Sequence, residues 1–352
     1  MAASLAVSLG GLRLKNPVIC ASGEHVISES GVRAALRAGA AVIVAKSTNE
    51  SQAARAQLAQ TDYAAFDRAW TRQAWQGGAE ANVLCRSGLQ PRGAEEWLDA
   101  VAALDREARE ADAYVAASLI LADLDHAVRL ARHAESAGVR LLEFNVGTPY
   151  GDEAKHGGVA TERSVERLRA QVAAVCSAVR IPVWVKLTGQ SENVALLAAA
   201  AREGGAAAVI MIGRFLGLLP DLETQAPVLG TNLGYGGPWA LPLTCYWLAR
   251  TRRALGPGFP LIGTNGARSG ADAARMLLAG ASAVEYCSAI MTDGFEVLTR
   301  AIVDLEDYVA RKGGTAQELI GRAADQVAGY ETLAARDGYW RGFVPPETLA
   351  PS

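Results

Sequence analysis

The sequence predicts one (β/α)8 barrel, and three observations favour this fold class. Eight short, apolar, β-rich runs alternate with amphipathic segments rich in Ala, Leu and Arg. Each run is continuously apolar, as is typical of parallel strands covered on both faces. The chain has 352 residues, a normal length for one barrel with insertions. We therefore expect a closed (β/α)8 TIM barrel with insertions after strands two and six and a helical C-terminal tail.

The eight strands can be placed in order along the chain. The segments between them carry apolar residues at spacings of three and four, which indicates helices that cover the strands. The segment from Asp123 to Ala137 is the clearest helix, and Gly138 is its expected stop. The predicted strands begin at Asn16, Ala40, Ala113, Leu141, Pro182, Ala207, Pro260 and Ala283.

Two connections are too long to be simple turns. They span residues 48–93 after strand two and 214–239 after strand six, both on the carboxyl side, where insertions shape access to a barrel's site. The Gly-containing loop 148–160 after strand four is expected to act as a lid. We assign residues 1–312 to the barrel and 313–352 to a C-terminal extension packed on it, helical as far as Ala335.

Composition excludes several classes of function. The net charge of −3, with mixed signs, favours neither nucleic acid nor an anionic membrane surface. Five widely spaced cysteines without a CxxC pair argue against a metal site, an iron–sulfur cluster or a disulfide framework. No apolar run approaches the roughly 20 residues of a transmembrane helix, and the first residues lack the basic region of a secretion signal. We expect a cytoplasmic protein without a metal.

The last two strands each run into a turn of small residues. Such a pair of turns on strands seven and eight of a barrel forms a cradle for phosphate, because backbone N–H groups point inward and small side chains permit a close approach. The cradle predicts a phosphorylated ligand at the carboxyl rim. Its residues are Gly263, Thr264, Asn265 and Gly266 after strand seven, and Cys287, Ser288 and Ala289 after strand eight.

Polar residues also gather where the other strands end. Lys46 and Lys186 close apolar strands, and a buried lysine is costly without an anion or acceptor nearby. With Asn145 and the phosphate cradle, the two lysines suit a flavin, whose reduced ring is stabilised by a nearby cation. Ser22 and Ser47 lie at neighbouring strand ends. His25 is a weaker candidate for a proton donor and more readily a solvated loop histidine.

Several short motifs, in order, resemble those of one known family. The chain is similar to the FMN-dependent dihydroorotate dehydrogenases and still more to the FMN-bearing barrel domain of dihydropyrimidine dehydrogenase. The resemblance runs from about Leu5 to about Lys312. It rests on residues 11–18 with 21–23, on 45–47, on 143–149, on 185–188, on 235–237 and on the two turns of the phosphate cradle.

The resemblance implies bound FMN and hydride transfer through the flavin N5 to or from a CH–CH bond of a small cyclic substrate. It implies that Cys85, Asn145 and Tyr150 contact the substrate. Because the family commonly forms dimers, the resemblance also implies a homodimer. The residues implied to hold FMN are Ala21, Ser22, Gly23, Lys46, Ser47, Asn145, Lys186, Gly236, Gly237, Gly263, Thr264, Asn265, Gly266, Cys287, Ser288 and Ala289.

The chain departs from the family pattern on the substrate side. The family's catalytic base is a cysteine or serine in the loop after strand four, whereas this chain has Thr148 or Thr161 at the corresponding positions. A threonine hydroxyl has a pKa far from neutral, so either residue would act through a water or a relay, with Lys46 as a further catalytic candidate. Cys85 and Tyr150 stand where the family has substrate-binding asparagines.

These departures favour an FMN-dependent oxidoreductase whose substrate is not dihydroorotate. Three alternatives stay open. The first is a dihydroorotate or dihydropyrimidine dehydrogenase in which a threonine replaces the usual base. The second is a flavin subunit of a larger redox complex that passes electrons to a partner protein. The third is a phosphate-binding barrel without flavin, such as an isomerase.

Overall fold

A computed structural model describes residues 4–76, 81–147 and 164–349. Eight parallel strands close into a barrel, which confirms the predicted fold. Each strand pairs with the next one along the chain, and the eighth pairs with the first, with Val284 opposite Val18. In order, the barrel strands are Val18–Cys20, Val42–Val44, Tyr114–Ile120, Leu142–Asn145, Val183–Lys186, Ala208–Met211, Leu261–Gly263 and Ala283–Tyr286.

Helices follow the strands and cover the outside of the barrel. Gly138 ends the third of these helices at a left-handed φ of +102°, as the sequence predicted. Ser269 and Asp272 form a reciprocal cap at the start of the helix after strand seven. The covering helices are Glu29–Arg37, Ala94–Ala108, Leu124–Ala137, Val165–Ala178, Val194–Glu203, Leu241–Leu255, Gly270–Leu278, Ser288–Asp293 and Glu296–Lys312.

The amino end of the barrel lies beside an N-terminal hairpin. Strand Val7–Leu9 pairs antiparallel with Leu12–Leu14, and the turn between them approaches the residue that precedes strand six. At Gly10, where φ is +55°, an added Cβ would lie 2.9 Å from the carbonyl oxygen of Ala207. Side chains from the strands and helices fill the space around the barrel, so the carboxyl end is where a ligand can enter.

The two long insertions combine into one accessory sheet. Five antiparallel strands pair across the insertions, so that residues more than a hundred positions apart become neighbours. Cys85 lies opposite Gly234 on one side and Tyr63 on the other. The sheet faces the barrel mouth, so both insertions shape the entrance, as expected. Across the sheet, the strands are Phe215–Gly217, Leu233–Gly236, Asn82–Arg86, Asp62–Phe66 and Arg72–Gln73. The first insertion also contains the short helix Gln52–Ala56.

The C-terminal extension is helical in short pieces rather than in one continuous helix. Its first part contacts the barrel: Gly321 donates a backbone hydrogen bond of 2.8 Å to Leu277, and Asp325 forms a salt bridge with Arg252. Beyond Val327 most of its side chains are exposed. The pieces are an α-helix at Ala316–Leu319 and 3₁₀ turns at Ala324–Gln326, Tyr330–Thr332, Tyr339–Phe343 and Pro346–Leu349.

Candidate functional site

A cavity opens at the carboxyl end of the barrel, and most of the predicted cofactor residues line it. The strand ends form its floor, and Tyr63, Val83 and Cys85 line it from the accessory sheet. The predicted residues on its wall are Ala21, Ser22, Gly23, Lys46, Ser47, Asn145, Lys186, Gly236, Thr264, Asn265, Gly266, Cys287 and Ser288, together with Cys85.

The remaining predicted residues lie elsewhere. Gly263 lies inside strand seven against Met276, and Ala289 is fully buried in the helix after strand eight, so neither lines the cavity. Gly237 follows a lining residue and turns the chain at a φ of +140°. Thr148, Tyr150 and Thr161, and with them the predicted lid, lie outside the described residues.

Lys46 is buried beside a carboxylate that the sequence did not reveal. Its Nζ lies 3.0 Å from Oε1 of Glu24, and both side chains are largely shielded from solvent. Tyr63 donates a hydrogen bond to Oε2 of Glu24, and the backbone N–H of Gly88 donates to Oε1 at 3.1 Å. Burial would raise the pKa of Glu24, but Lys46 and these two donors hold it below its usual value. Glu24 is therefore ionised and anchors Lys46.

Lys186 is held between two buried carboxylates. Its Nζ lies 2.9 Å from Oε2 of Glu143 and 2.8 Å from Oε2 of Glu285, and neither carboxylate side chain is exposed. Burial would lower the pKa of Lys186, but the two carboxylates raise it above its usual value. Lys186 thus carries a full positive charge that is already matched inside the barrel.

A chain of hydroxyl groups connects this ion cluster to the first strand. The hydroxyl of Ser118 donates to Oε1 of Glu143 at 2.8 Å, and it lies 2.8 Å from the hydroxyl of Ser47. Ser47 in turn lies 2.9 Å from the hydroxyl of Ser22. The polar residues predicted at separate strand ends therefore form one connected network across the floor of the cavity.

His25 is partly buried, so its interpretation as a solvated loop histidine was wrong. Its Nε2 lies 3.0 Å from the carbonyl oxygen of Ala21, and its ring meets Phe295 edge-on with centroids 6.0 Å apart. Its Nδ1 is buried and has no hydrogen-bond partner within the described parts of the chain. Burial, and then the charge of Lys46, lower the pKa of His25 to about 4. The imidazole is therefore neutral at physiological pH.

Glycines occupy turns around the cavity where a larger side chain would collide with neighbouring protein atoms. At Gly266, where φ is +110°, an added Cβ would lie 2.5 Å from the backbone nitrogen of Leu241, so no larger residue fits this turn. At Gly236 it would lie 3.0 Å from Oδ1 of Asn265, and at Gly23 it would lie 2.6 Å from the ring of His25. Turns of this kind on strands seven and eight suit a phosphate group.

The residues missed at the sequence level come mostly from the insertions and from charges inside strands. Arg214, after strand six, donates to the hydroxyl of Ser87 at 2.5 Å and lies 3.8 Å from Sγ of Cys85. Glu143 and Glu285 could have been found, because a carboxylate within an otherwise apolar buried strand needs a partner. Tyr63, Ser87 and Arg214 carried no comparable signal, because their positions depend on how the insertions pair.

Comparison with known proteins agrees with the barrel fold. The model of the dihydroorotate dehydrogenase family matches residues 72–309, about two thirds of the chain. The chain therefore belongs to the dihydroorotate dehydrogenase family, which confirms the predicted resemblance. Whether it is still more similar to the dihydropyrimidine dehydrogenase barrel stays a prediction.

Relatives of two named types match the chain along most of its length. A dihydroorotate dehydrogenase A (fumarate) from Limosilactobacillus reuteri is 30% identical over 82% of this chain and 88% of that protein. The catalytic subunit of a dihydroorotate dehydrogenase B (NAD(+)) from Methanocella arvoryzae is 29% identical over 89% of this chain and 96% of that protein. The catalytic subunit of the same enzyme from Desulforudis audaxviator is 30% identical over 92% and 98%.

Two further findings concern the described residues alone. None of the helices in these residues is both long and apolar enough to cross a membrane. The same residues contain no group of three or more His, Cys, Asp or Glu side chains arranged to hold a metal ion.

Proposed function

We propose that the protein is an FMN-dependent oxidoreductase that exchanges a hydride between the flavin N5 and a CH–CH bond of a small cyclic substrate. The observation that carries this proposal is the cavity itself. Lys46, Asn145 and Lys186, at the carboxyl ends of strands two, four and five, all line it, and so does Gly266 in the turn after strand seven. Membership of the dihydroorotate dehydrogenase family supports the same reaction class.

The residues present fit FMN. The turns at Gly266 and Ser288, after strands seven and eight, line the cavity and would receive the phosphate. Lys46 and Asn145 would meet the polar edges of the ring, and Ser47 and Thr264 would supply neutral hydroxyl groups. The bound flavin would supply the hydride chemistry, and this chain would position it and exclude water from the buried floor.

We propose that the substrate is not dihydroorotate, because the substrate side of the cavity is altered. Burial raises the pKa of the Cys85 thiol, although Arg214 opposes the shift, so Cys85 is a neutral thiol at physiological pH. A thiol is a weak hydrogen-bond donor and cannot replace the two-sided hydrogen bonding of an amide. Asn145 and Tyr150 remain the other proposed substrate contacts, and Thr148 or Thr161 the proposed relay for the proton.

A second candidate is dihydroorotate oxidation itself, because the relatives reported above are named as dihydroorotate dehydrogenases. Their names also differ in the electron acceptor, fumarate in one type and NAD⁺ in the other. The chain is about equally similar to both types, so the comparison does not identify its electron acceptor. A partner protein that receives the electrons therefore stays part of the proposal. A homodimer is proposed because the family resemblance makes this state common, and a cytoplasmic location is proposed because the five widely spaced cysteines suggest no disulfide framework.

Anaerobic bleaching of the flavin tests the function and distinguishes the two candidates. The purified protein, reconstituted with FMN, is mixed without oxygen with dihydroorotate, with dihydrouracil and with a panel of other reduced heterocycles. We expect bleaching by a member of the panel and not by dihydroorotate. Rapid bleaching by dihydroorotate would establish the second candidate, and a protein that cannot be loaded with FMN would refute both.

A further inference from the structure

The cluster around Lys186 contains one more carboxylate than ammonium groups. Glu143 and Glu285 both contact the same Nζ, at 2.9 and 2.8 Å, and both side chains are fully shielded from solvent. If both were ionised, the floor of the cavity would hold an unmatched negative charge. An uncompensated charge in a buried site is strongly unfavourable. The state in which one of the carboxylates holds a proton therefore has the lower free energy.

The two carboxylates are not equivalent. Oε1 of Glu143 accepts a hydrogen bond from Ser118, which stabilises the ionised form of Glu143 in addition to its contact with Lys186. Oε1 of Glu285 has no hydrogen-bond partner within the described residues, although it is buried. Glu285 also lines the cavity. Of the two carboxylates, Glu285 is therefore the one that is more easily protonated.

The charged and titratable groups around Glu285 agree with this assignment. Burial raises the pKa of Glu285 and the negative charge of Glu143 adds to the shift, whereas Lys186 and, as the smallest contribution, the nearby hydroxyl of Thr264 oppose it. Thr264 makes no regular hydrogen bond to Oε1 of Glu285. Cys20 and Cys287 flank the same strand end, and burial raises the pKa of both thiols, so neither adds a charge near neutral pH. The pKa of Glu285 is therefore raised above its usual value.

We propose that Glu285 is a protonated carboxylic acid beneath the floor of the cavity, so that its cluster with Lys186 and Glu143 presents no net charge to the cofactor ring. Glu143 then neutralises Lys186, and Glu24 neutralises Lys46. The effect on the cofactor rests on the proposed binding of FMN, whereas the protonation of Glu285 does not. Glu285 is thus a positioning residue that acts on the cofactor through Lys186, whose Nζ it contacts.

Infrared difference spectroscopy of the protein without FMN tests the protonation directly. A protonated carboxylic acid has a carbonyl band that an ionised carboxylate lacks, and the band shifts in D₂O. We expect this band near neutral pH in the unaltered protein and its loss in Glu285→Gln. It should also disappear in Glu143→Gln, because Lys186 then pairs one-to-one with an ionised Glu285. Glu29→Gln, at an ion pair with Arg92 near the surface, should leave it unchanged. A band that is absent from the unaltered protein, or that persists in Glu285→Gln, would overturn the proposal.

FMN affinity as a function of pH tests the effect of this charge on the cofactor. In the unaltered protein, affinity relative to Glu285→Gln should fall by up to about tenfold per pH unit once Glu285 ionises and the cluster gains a negative charge, whereas the cluster in Glu285→Gln stays neutral throughout. If Glu285→Gln bound FMN several-fold more tightly near neutral pH, Glu285 would be ionised and the proposal would be wrong. If the carbonyl band were present but FMN bound to none of these proteins, the effect on the cofactor and the proposed function would fail together, and the protonation would stand.

Discussion

The buried pair between Lys46 and Glu24 offers a quantitative test of how the site is held together. We consider Lys46→Met, which keeps most of the side-chain volume and removes the ammonium group. Lys46 is 6% exposed and Glu24 17% exposed, so the substitution leaves a largely buried carboxylate without its counter-ion. Breaking a buried pair in this way costs about 3–5 kcal/mol. Because Tyr63 and Gly88 still donate to Glu24, we expect the lower end, about 3 kcal/mol.

The measurement is a double-mutant cycle in urea. Lys46→Met with Glu24→Gln removes both charges, so it should recover about 1–2 kcal/mol of the loss. The control is Arg33→Met, since Arg33 and Glu107 form a 2.8 Å ion pair that is nearly half exposed and screened by solvent. Equal losses for Lys46→Met and Arg33→Met, or strict additivity in the cycle, would refute a buried, coupled pair.

The same pair predicts a dependence of stability on acid. The folded-state pKa of Glu24 is lowered, so its contribution to stability is present above its unfolded pKa and is lost as the pH falls through the folded value. The unaltered protein should therefore lose part of its unfolding free energy below about pH 4.5. Lys46→Met should show less of this loss, because its Glu24 no longer has the counter-ion that lowers the pKa.

Three further substitutions test other parts of the site. Gly266→Ala places a Cβ against the backbone of Leu241, so it should cost about 3 kcal/mol and reduce FMN binding, whereas Gly313→Ala, at a φ of +70° with open space, should cost about 1 kcal/mol in thermal unfolding. The pKa of His25 is lowered to about 4, so below about pH 6.5 the unfolded chain takes up a proton that the folded protein does not. Stability should then fall by up to about 1.4 kcal/mol per pH unit, and a His25→Gln variant that kept this slope in urea titrations would contradict the buried neutral ring. Cys85→Asn restores an amide on the substrate side, so KM for dihydroorotate should fall about tenfold or more if the thiol is what disfavours this substrate, and an unchanged KM would show that it is not.

The barrel could be predicted because its signal is local. Continuous apolar runs, such as Val183–Lys186 and Ala208–Met211, identify buried parallel strands from their own residues alone. The lysines at the strand ends were found for the same reason. A charged residue at the end of a buried apolar run is rare unless it has a partner, so each lysine indicated a candidate site. The order of the strands in a closed barrel then brings these residues together without any knowledge of the loops.

The partners of these lysines could not be predicted as partners. Glu24 reaches Lys46 from the turn after strand one, and Tyr63 reaches Glu24 from an insertion whose strands pair with residues more than a hundred positions away. Such pairings depend on tertiary packing rather than on local pattern. His25 was misinterpreted for a related reason. A histidine in a short connection is usually solvated, but here the ring of Phe295, just before the helix Glu296–Lys312, packs against it.

The most direct test of the central claim is an experimental structure of the protein determined with FMN. We expect density for the isoalloxazine ring in the cavity between Lys46 and Lys186, with the phosphate at the turns that follow strands seven and eight. Flavin density at any other place, or side chains from the accessory sheet filling the cavity in the presence of excess FMN, would contradict it.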